Sequence, residues 1–231
     1  MKTIGLLGGM SWESSLIYYQ LINELVNQRK GGLHSAKSLM YSVDFEEIER
    51  YQNQGKWEEA AQVLVEAAKN LERGGADFLV LCTNTMHKVA NEIEKTLTIP
   101  MLHIADATAE VIISQGIKRV GLLGTKYTLE ENFYKQRLIE NYALEVVIPK
   151  KPDIELINRI IFEELVFGKI NAESKNHFLR IMYELVNKGA EGIILGCTEI
   201  GLLIKQEDIS TPLFDTTYLH ALKAIGFALS K

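Results

Sequence analysis

An internal repeat of two apolar segments limits the folds that this chain can adopt. Residues 4–9 (IGLLGG) resemble residues 120–125 (VGLLGT), and residues 75–84 (GADFLVLCTN) resemble residues 189–198 (GAEGIILGCT). Counted from Gly5 and Gly121, and from positions 75 and 189, the offsets are 116 and 114 residues. Two matches at nearly one offset predict two related lobes. The alternative is that buried strands of one fold class simply look alike.

Apolar runs alternate with amphipathic stretches along the whole chain. Strands are predicted at 3–8, 37–43, 77–82, 100–104, 118–123, 143–148, 191–196 and in a short segment near 212–214. Helical spacing of apolar residues is seen between them, for example at Ile17, Leu21 and Leu25. Strands that are separated by helices indicate parallel sheets covered on both faces.

These patterns together predict an α/β fold of two pseudo-symmetric Rossmann-like lobes. Each lobe would hold a parallel four-stranded sheet flanked by helices, with the active site between the lobes. The N-terminal lobe is predicted to comprise residues 1–99 plus 208–231, and the C-terminal lobe residues 100–207. The tail after about residue 208, with Phe214 and Asp215, is expected to pack on the N-terminal lobe.

Composition excludes several classes of partner. Of the 231 residues, 47% are hydrophobic and 24% charged, the net charge is −5, and no basic run occurs. Nucleic acid and membranes are therefore not expected as partners. No run is long enough to span a bilayer, and the apolar N-terminus is interpreted as a first core strand, which favours a cytoplasmic location. The two cysteines, Cys82 and Cys197, indicate neither a disulfide nor a metal site.

The repeat makes Thr83 and Cys197 structural counterparts, because they lie 114 positions apart. Both follow an apolar run, and parallel strands bind ligands at their carboxyl ends. A helix start next to Cys197 is expected to lower its pKa and favour the thiolate, which is a competent base. The alternative is a cysteine buried in the core.

The residues around Thr83 have more than one possible role. Cys82 and Thr83 point to opposite sides of a strand, so only one of them can face the cleft, and the repeat selects Thr83. Asn84 and Thr85 could cap the next helix or donate hydrogen bonds to a carboxylate. His87 is expected to orient the loop rather than to take part directly in catalysis.

The glycine-containing turns after the first strand of each repeat are a third candidate region. Residues 5–9 lack the spacing of a dinucleotide fingerprint, and the chain has no phosphate-binding lysine motif. A backbone cradle for a carboxylate, which would include Met10 and Ser11 in the first half and Thr125 in the second, fits the pattern better. Simple tight turns remain the alternative.

The segments 83–87 (TNTMH) and 196–199 (GCTE) resemble the two signatures of the aspartate/glutamate racemase family. Further resemblance lies in residues 5–12, 42–45 and 103–106 and extends to about residue 216. The family's first signature has a cysteine where this chain has Thr83. Within the family, this substitution is typical of racemases specific for L-aspartate and L-glutamate.

The resemblance implies a racemase that needs no pyridoxal phosphate or other cofactor, forms a homodimer and acts on an acidic amino acid. One thiolate would remove the α-proton and an acid on the opposite face would return one. Cys197 would be the base for the L-enantiomer, with Thr83 opposite. Asn84, Thr85, Thr198 and Glu199 would lie at the substrate.

A dicarboxylic substrate also needs a partner for its side-chain carboxylate. The candidates are Gln52, Lys126 and Lys169. The alternative for each of them, taken singly, is a solvated surface residue. Two other functions stay open. A malonate-type decarboxylase or other isomerase on this scaffold also needs only one thiol, and a binder of acidic amino acids without turnover would need none.

Overall fold

The structure, a computed structural model, describes residues 1–230 and divides them into two compact units. Unit 1 comprises Met1–His103 and His220–Lys231, of which the last residue lies outside the described part, and unit 2 comprises Ile104–Leu219. No helix within residues 1–230 is both long enough and apolar enough to cross a membrane.

Unit 1 contains a four-stranded parallel sheet in the order β2-β1-β3-β4. The strands are β1 (Ile4–Gly8), β2 (Ser38–Ser42), β3 (Phe78–Leu81) and β4 (Met101–Leu102). The helices are α1 (Trp12–Lys30), α2 (Phe45–Asn53), α3 (Trp57–Arg73) and α4 (Ala90–Glu94). A 3₁₀ turn, Thr85–Val89, lies between β3 and α4.

Unit 2 repeats this sheet order as β6-β5-β7-β8, again parallel. Its strands are β5 (Arg119–Gly124), β6 (Glu145–Val147), β7 (Gly192–Gly196) and β8 (Leu213–Asp215). Its helices are α5 (Ile104–Ser114), α6 (Lys126–Glu130), α7 (Asn132–Tyr142), α8 (Lys151–Glu163), α9 (Ala172–Asn187) and α10 (Ile200–Leu203), with 3₁₀ turns at Leu165–Phe167 and Gln206–Asp208. The last helix, α11 (Thr216–Leu229), begins in unit 2 and continues into unit 1. Both predicted sheets and all eight predicted strands are thus confirmed.

Alternation along the buried strands sorts side chains between the two faces of each sheet. In unit 1, Leu79 and Leu81 pack toward α3, whereas Val80 and Cys82 pack with residues of α1 and α11. In unit 2, Leu195 and Cys197 join the cluster formed with α8 and α9. The strands read as continuous apolar runs because both faces are covered.

The C-terminal tail differs from its prediction. Phe214 and Asp215 belong to β8, which pairs with β7, so residues 208–219 are part of unit 2 rather than of the N-terminal lobe. The division after residue 103 likewise lies four residues beyond the predicted boundary at 99, because α5 packs in the core of unit 2. Only the later part of α11, with Leu222 and Ile225, packs on unit 1 as expected.

Candidate active site

The loop after β3 carries the first group of predicted residues, Thr83, Asn84 and Thr85. All three are buried, although they are polar. The Thr83 N–H donates to the Leu81 carbonyl over 2.9 Å, which turns the chain sharply at the strand end. Of the two roles open to Asn84, capping is not seen, since Asn84 precedes the 3₁₀ turn without a capping hydrogen bond from its side chain. These polar groups therefore cluster at the carboxyl end of the sheet.

Met10, Ser11 and Gln52 lie around the same end of the unit 1 sheet. Met10 and Ser11 are buried and follow β1, the neighbour of β3. Ser11 caps α1, because its Oγ accepts from the Ser14 N–H over 3.3 Å, and Ser14 Oγ in turn donates to the Cys82 carbonyl over 3.1 Å. The buried Gln52 places its Nε2 3.0 Å from the sulfur of Met86, inside the 3₁₀ turn. The structure thus brings Gln52 to the Thr83 loop.

The loop after β7 carries Cys197, Thr198 and Glu199, all of them buried. One carboxylate oxygen, Oε2 of Glu199, accepts from the Cys197 thiol over 3.0 Å and from the Thr198 hydroxyl over 2.7 Å. The thiol therefore faces a buried carboxylate that is positioned to take its proton.

The predicted lowering of the Cys197 pKa is wrong. Burial raises the pKa of this thiol well above its ordinary value, and the negative charge and hydrogen bond of Glu199 raise it further. The helix that was expected to favour the thiolate, α10, has only four residues. The Cys82 pKa is also raised, by burial alone, which fits the predicted role of a small packed residue.

Thr125 and the two lysines complete the predicted set. Thr125 is buried after β5 and caps α6, since its Oγ1 accepts from the Thr128 N–H over 3.3 Å. Lys126 is bound to Glu155, with 2.7 Å between Nζ and Oε1, and is therefore a surface ion pair. Lys169 is exposed, and its Nζ lies 5.4 Å from the centre of the Phe167 ring. Among the described residues of unit 2, no hydrogen bond or ion pair joins the Lys169 side chain to the other predicted residues.

The strand registers place Thr83 and Cys197 at equivalent positions in their own sheets. Leu81 pairs with Leu7 in one sheet, and Leu195 pairs with Leu123 in the other. Thr83 lies two residues beyond Leu81, and Cys197 two residues beyond Leu195. The alignment inferred from the repeat therefore holds in the hydrogen-bonded structure.

Unit 1 contains a buried cluster of histidines that the sequence does not predict. His87, His103 and His220 are all buried, and the His87 ring centre lies 4.3 Å from that of His103 and 6.0 Å from that of His220. The three residues are spread over more than 130 positions, so no local spacing marks them. Within residues 1–230, no group of three or more His, Cys, Asp or Glu side chains is arranged to hold a metal ion.

Comparisons with known proteins agree with this architecture. A solved structure described as a candidate Asp/Glu racemase from Yersinia pestis is 53% identical, with all of both chains covered and a TM-score of 0.93. An aspartate racemase homologue from Pyrococcus horikoshii OT3 is 40% identical, also with full coverage of both chains, and has a TM-score of 0.87.

Amino-acid racemases are also found among the curated relatives. A broad-specificity amino-acid racemase from Bacillus subtilis is 28% identical over 173 residues, which are 75% of this chain and 74% of the relative. The model of the family "Asp/Glu/Hydantoin racemase" matches residues 7–224 and supports an isomerase activity of the amino-acid racemase type. Because that match spans nearly the whole chain, the protein belongs to the Asp/Glu/hydantoin racemase family.

Proposed function

We propose that this protein is a cofactor-independent racemase of the acidic amino acids aspartate and glutamate, with the L-enantiomer preferred. The observation that carries the proposal is the equivalent placement of Thr83 and Cys197 in two sheets of the same order. Similarity to proteins named aspartate and glutamate racemases supports the substrate class. The proposal requires both side chains to reach one α-carbon from opposite faces, as inversion by proton abstraction and return demands.

In this mechanism Cys197 removes the α-proton of the L-enantiomer. A buried thiol with a raised pKa does not ionise easily by releasing its proton to water. Transfer of the proton from Sγ to Oε2 of Glu199, only 3.0 Å away, avoids that cost because the pair keeps one negative charge throughout. The resulting thiolate is a strong base because the same surroundings disfavour its charge.

Thr83 would then protonate the α-carbon from the opposite face. The residue of unit 1 that corresponds to Glu199 is Thr85, so the hydroxyl of Thr83 has no carboxylate in the equivalent position. A hydroxyl without such a base is a poor proton acceptor but can still donate a proton, directly or through a bound water. Solvent water then returns a proton to the Thr83 oxygen while Glu199 releases the proton that it took from Cys197, which restores the enzyme. Because the two enantiomers have equal free energy, kcat/KM of racemisation is the same in both directions. The asymmetry therefore predicts preference for the L-enantiomer in α-hydrogen exchange, since Cys197 faces that hydrogen.

Polar groups of both loops would hold the substrate. The α-carboxylate would bind the N–H and hydroxyl donors of these loops, which belong to Ser11, Asn84, Thr85, Thr125 and Thr198, with Met10 beside them. Gln52 has a second amide hydrogen beyond the one directed at Met86, and it is our first choice for the side-chain carboxylate, ahead of the exposed Lys169. We further propose a cytoplasmic homodimer.

Chiral chromatography tests the proposed function. Protein purified without pyridoxal phosphate is incubated separately with the two enantiomers of aspartate and of glutamate, and with an aryl malonate. We expect interconversion of the acidic amino acids, loss of that activity in Cys197→Ser, and faster turnover of the D-enantiomers in Thr83→Cys. Cys82→Ala is the matched control, because Cys82 packs on the other face of its sheet. Carbon dioxide release from the malonate, or binding of the amino acids without any interconversion, would contradict the proposal.

A further inference from the structure

His87 has a direct hydrogen bond to the loop that carries Thr83. Its Nδ1 lies 2.7 Å from the main-chain carbonyl oxygen of Thr83. Because a carbonyl oxygen only accepts, Nδ1 must carry the hydrogen and donate it. The His87 N–H also donates to the Asn84 carbonyl over 3.1 Å. One residue thus binds two successive carbonyl groups of the turn that aims the Thr83 side chain.

The His87 ring is itself held by packing from two other segments. His103, directly after β4, lies against it at 4.3 Å between ring centres, with the planes tilted by 60°. His220, in α11, lies at 6.0 Å, edge to face. His220 is fixed in turn, since its Nδ1 is 2.9 Å from the Tyr18 hydroxyl and its Nε2 is 2.7 Å from the Leu102 carbonyl oxygen. Rotation of the His87 ring would disturb this buried packing, so the donor stays aimed at Thr83.

The equivalent part of unit 2 has no such support. The residue that corresponds to His87 is Gly201, and a side-chain oxygen of Asp215 lies so close to it that an added Cβ would be 2.6 Å from that oxygen. Asp215 is the counterpart of His103, because each lies two residues after the strand residue, Leu213 or Met101, that pairs with the equivalent position of its neighbouring strand. The thiol in unit 2 has a carboxylate at hand instead, through Glu199. The two units therefore differ in the group next to the acid/base residue, which is a histidine in unit 1 and a carboxylate in unit 2.

We infer that His87 is a positioning residue, which acts on the reaction by fixing the direction of the Thr83 hydroxyl through the Thr83 carbonyl. The inference rests on the proposed function. A hydroxyl that is a weak base gains most from exact placement, because an error of about 1 Å in a reacting group can lower a rate by about a hundredfold. Loss of the His87 donor should therefore impair protonation at the Thr83 face and leave the Cys197 face intact.

Two substitutions separate the hydrogen bond from the bulk of the ring. His87→Asn keeps an N–H donor near the position of Nδ1, whereas His87→Leu keeps apolar volume without a donor. His34→Leu is the matched control, because His34 is an exposed histidine of the same unit. For each variant we measure kcat and KM of racemisation, and the exchange of the α-hydrogen of the L-enantiomer in heavy water.

We expect kcat of His87→Leu to fall about tenfold or more, with KM within about twofold of wild type. Exchange from the L-enantiomer through Cys197 should stay within about twofold, and His87→Asn should recover most of kcat. Wild-type kcat in His87→Leu, equal loss in both His87 variants, or parallel loss of racemisation and exchange would overturn the inference.

A readout without activity keeps this inference separate from the proposed function. Amide hydrogen exchange of residues 83–87 should be faster in His87→Leu than in wild type, and close to wild type in His87→Asn. Unchanged exchange in His87→Leu would overturn the positioning role by itself. If the wild-type protein neither racemises acidic amino acids nor exchanges their α-hydrogen, the proposed function fails, whatever the amide exchange shows.

Discussion

Replacement of Glu199 by glutamine should speed the alkylation of Cys197 and slow racemisation. In wild type the Glu199 carboxylate raises the thiol pKa through its charge and through the hydrogen bond that it accepts. Two unit negative charges 3.0 Å apart repel each other by about 5 kcal/mol at an effective dielectric constant of about 20. Glu199→Gln removes that repulsion with little change in shape, so the thiolate becomes easier to form.

Reaction with iodoacetamide near neutral pH reports on the thiolate. We expect Glu199→Gln to be alkylated at Cys197 at least about tenfold faster, because only part of the gain in thiolate is lost to its weaker nucleophilicity. Racemisation should nevertheless fall at least about tenfold, because the proton acceptor is gone and the thiolate is a weaker base. The experiment is done in a Cys82→Ala background so that one thiol reacts.

The control for this experiment is Glu140→Gln, which makes the same chemical change at an exposed carboxylate that accepts a hydrogen bond from Gln136. Slower or unchanged alkylation in Glu199→Gln would show that Glu199 does not raise the Cys197 pKa. Faster alkylation with unchanged racemisation would show that Glu199 does not accept the proton, and would refute this part of the mechanism.

Two further predictions concern stability. In Gly124→Ala the new Cβ would lie 2.8 Å from the Gly196 carbonyl oxygen, so urea denaturation should show that the free energy of unfolding falls by about 1–3 kcal/mol. In Gly226→Ala the new Cβ meets open space in α11, so the free energy of unfolding should rise by up to about 1 kcal/mol. Equal effects of the two substitutions would refute the packing argument. The second prediction concerns Cys82, whose pKa is raised by burial in the folded protein. Above the ordinary thiol pKa the unfolded chain releases the Cys82 proton while the folded protein keeps it, so the free energy of unfolding should fall by about 1.4 kcal/mol per pH unit for this thiol. Cys82→Ala should remove that part of the slope.

The sequence predicts the sheets well because buried parallel strands are continuous apolar runs. The predicted strand at 143–148 is shorter in the structure, Glu145–Val147, because Ala143 ends α7 in the left-handed region, with φ of 53°. The tail near Phe214 was placed on the wrong lobe, since one short strand gives no sign of which sheet it joins. Sequence alone separates element types more reliably than it assigns their partners.

The site follows the same division. The internal repeat correctly aligned Thr83 with Cys197, because both lie on strands whose register the apolar pattern fixes. The sequence predicts a lowered pKa for Cys197, whereas burial and Glu199 raise it, because the local sequence shows neither burial nor the orientation of the Glu199 side chain. The sequence does not predict the histidine cluster, because its three members come from separate segments of the chain, at positions 87, 103 and 220.

Exchange of the α-hydrogen in heavy water, measured by NMR on L-aspartate and L-glutamate, is the decisive test of Cys197 as the base. We expect wild-type protein to incorporate deuterium at the α-carbon of at least one of them, and Cys197→Ala to incorporate none above the uncatalysed rate. Exchange by Cys197→Ala at the wild-type rate would contradict the assignment of Cys197 as the base.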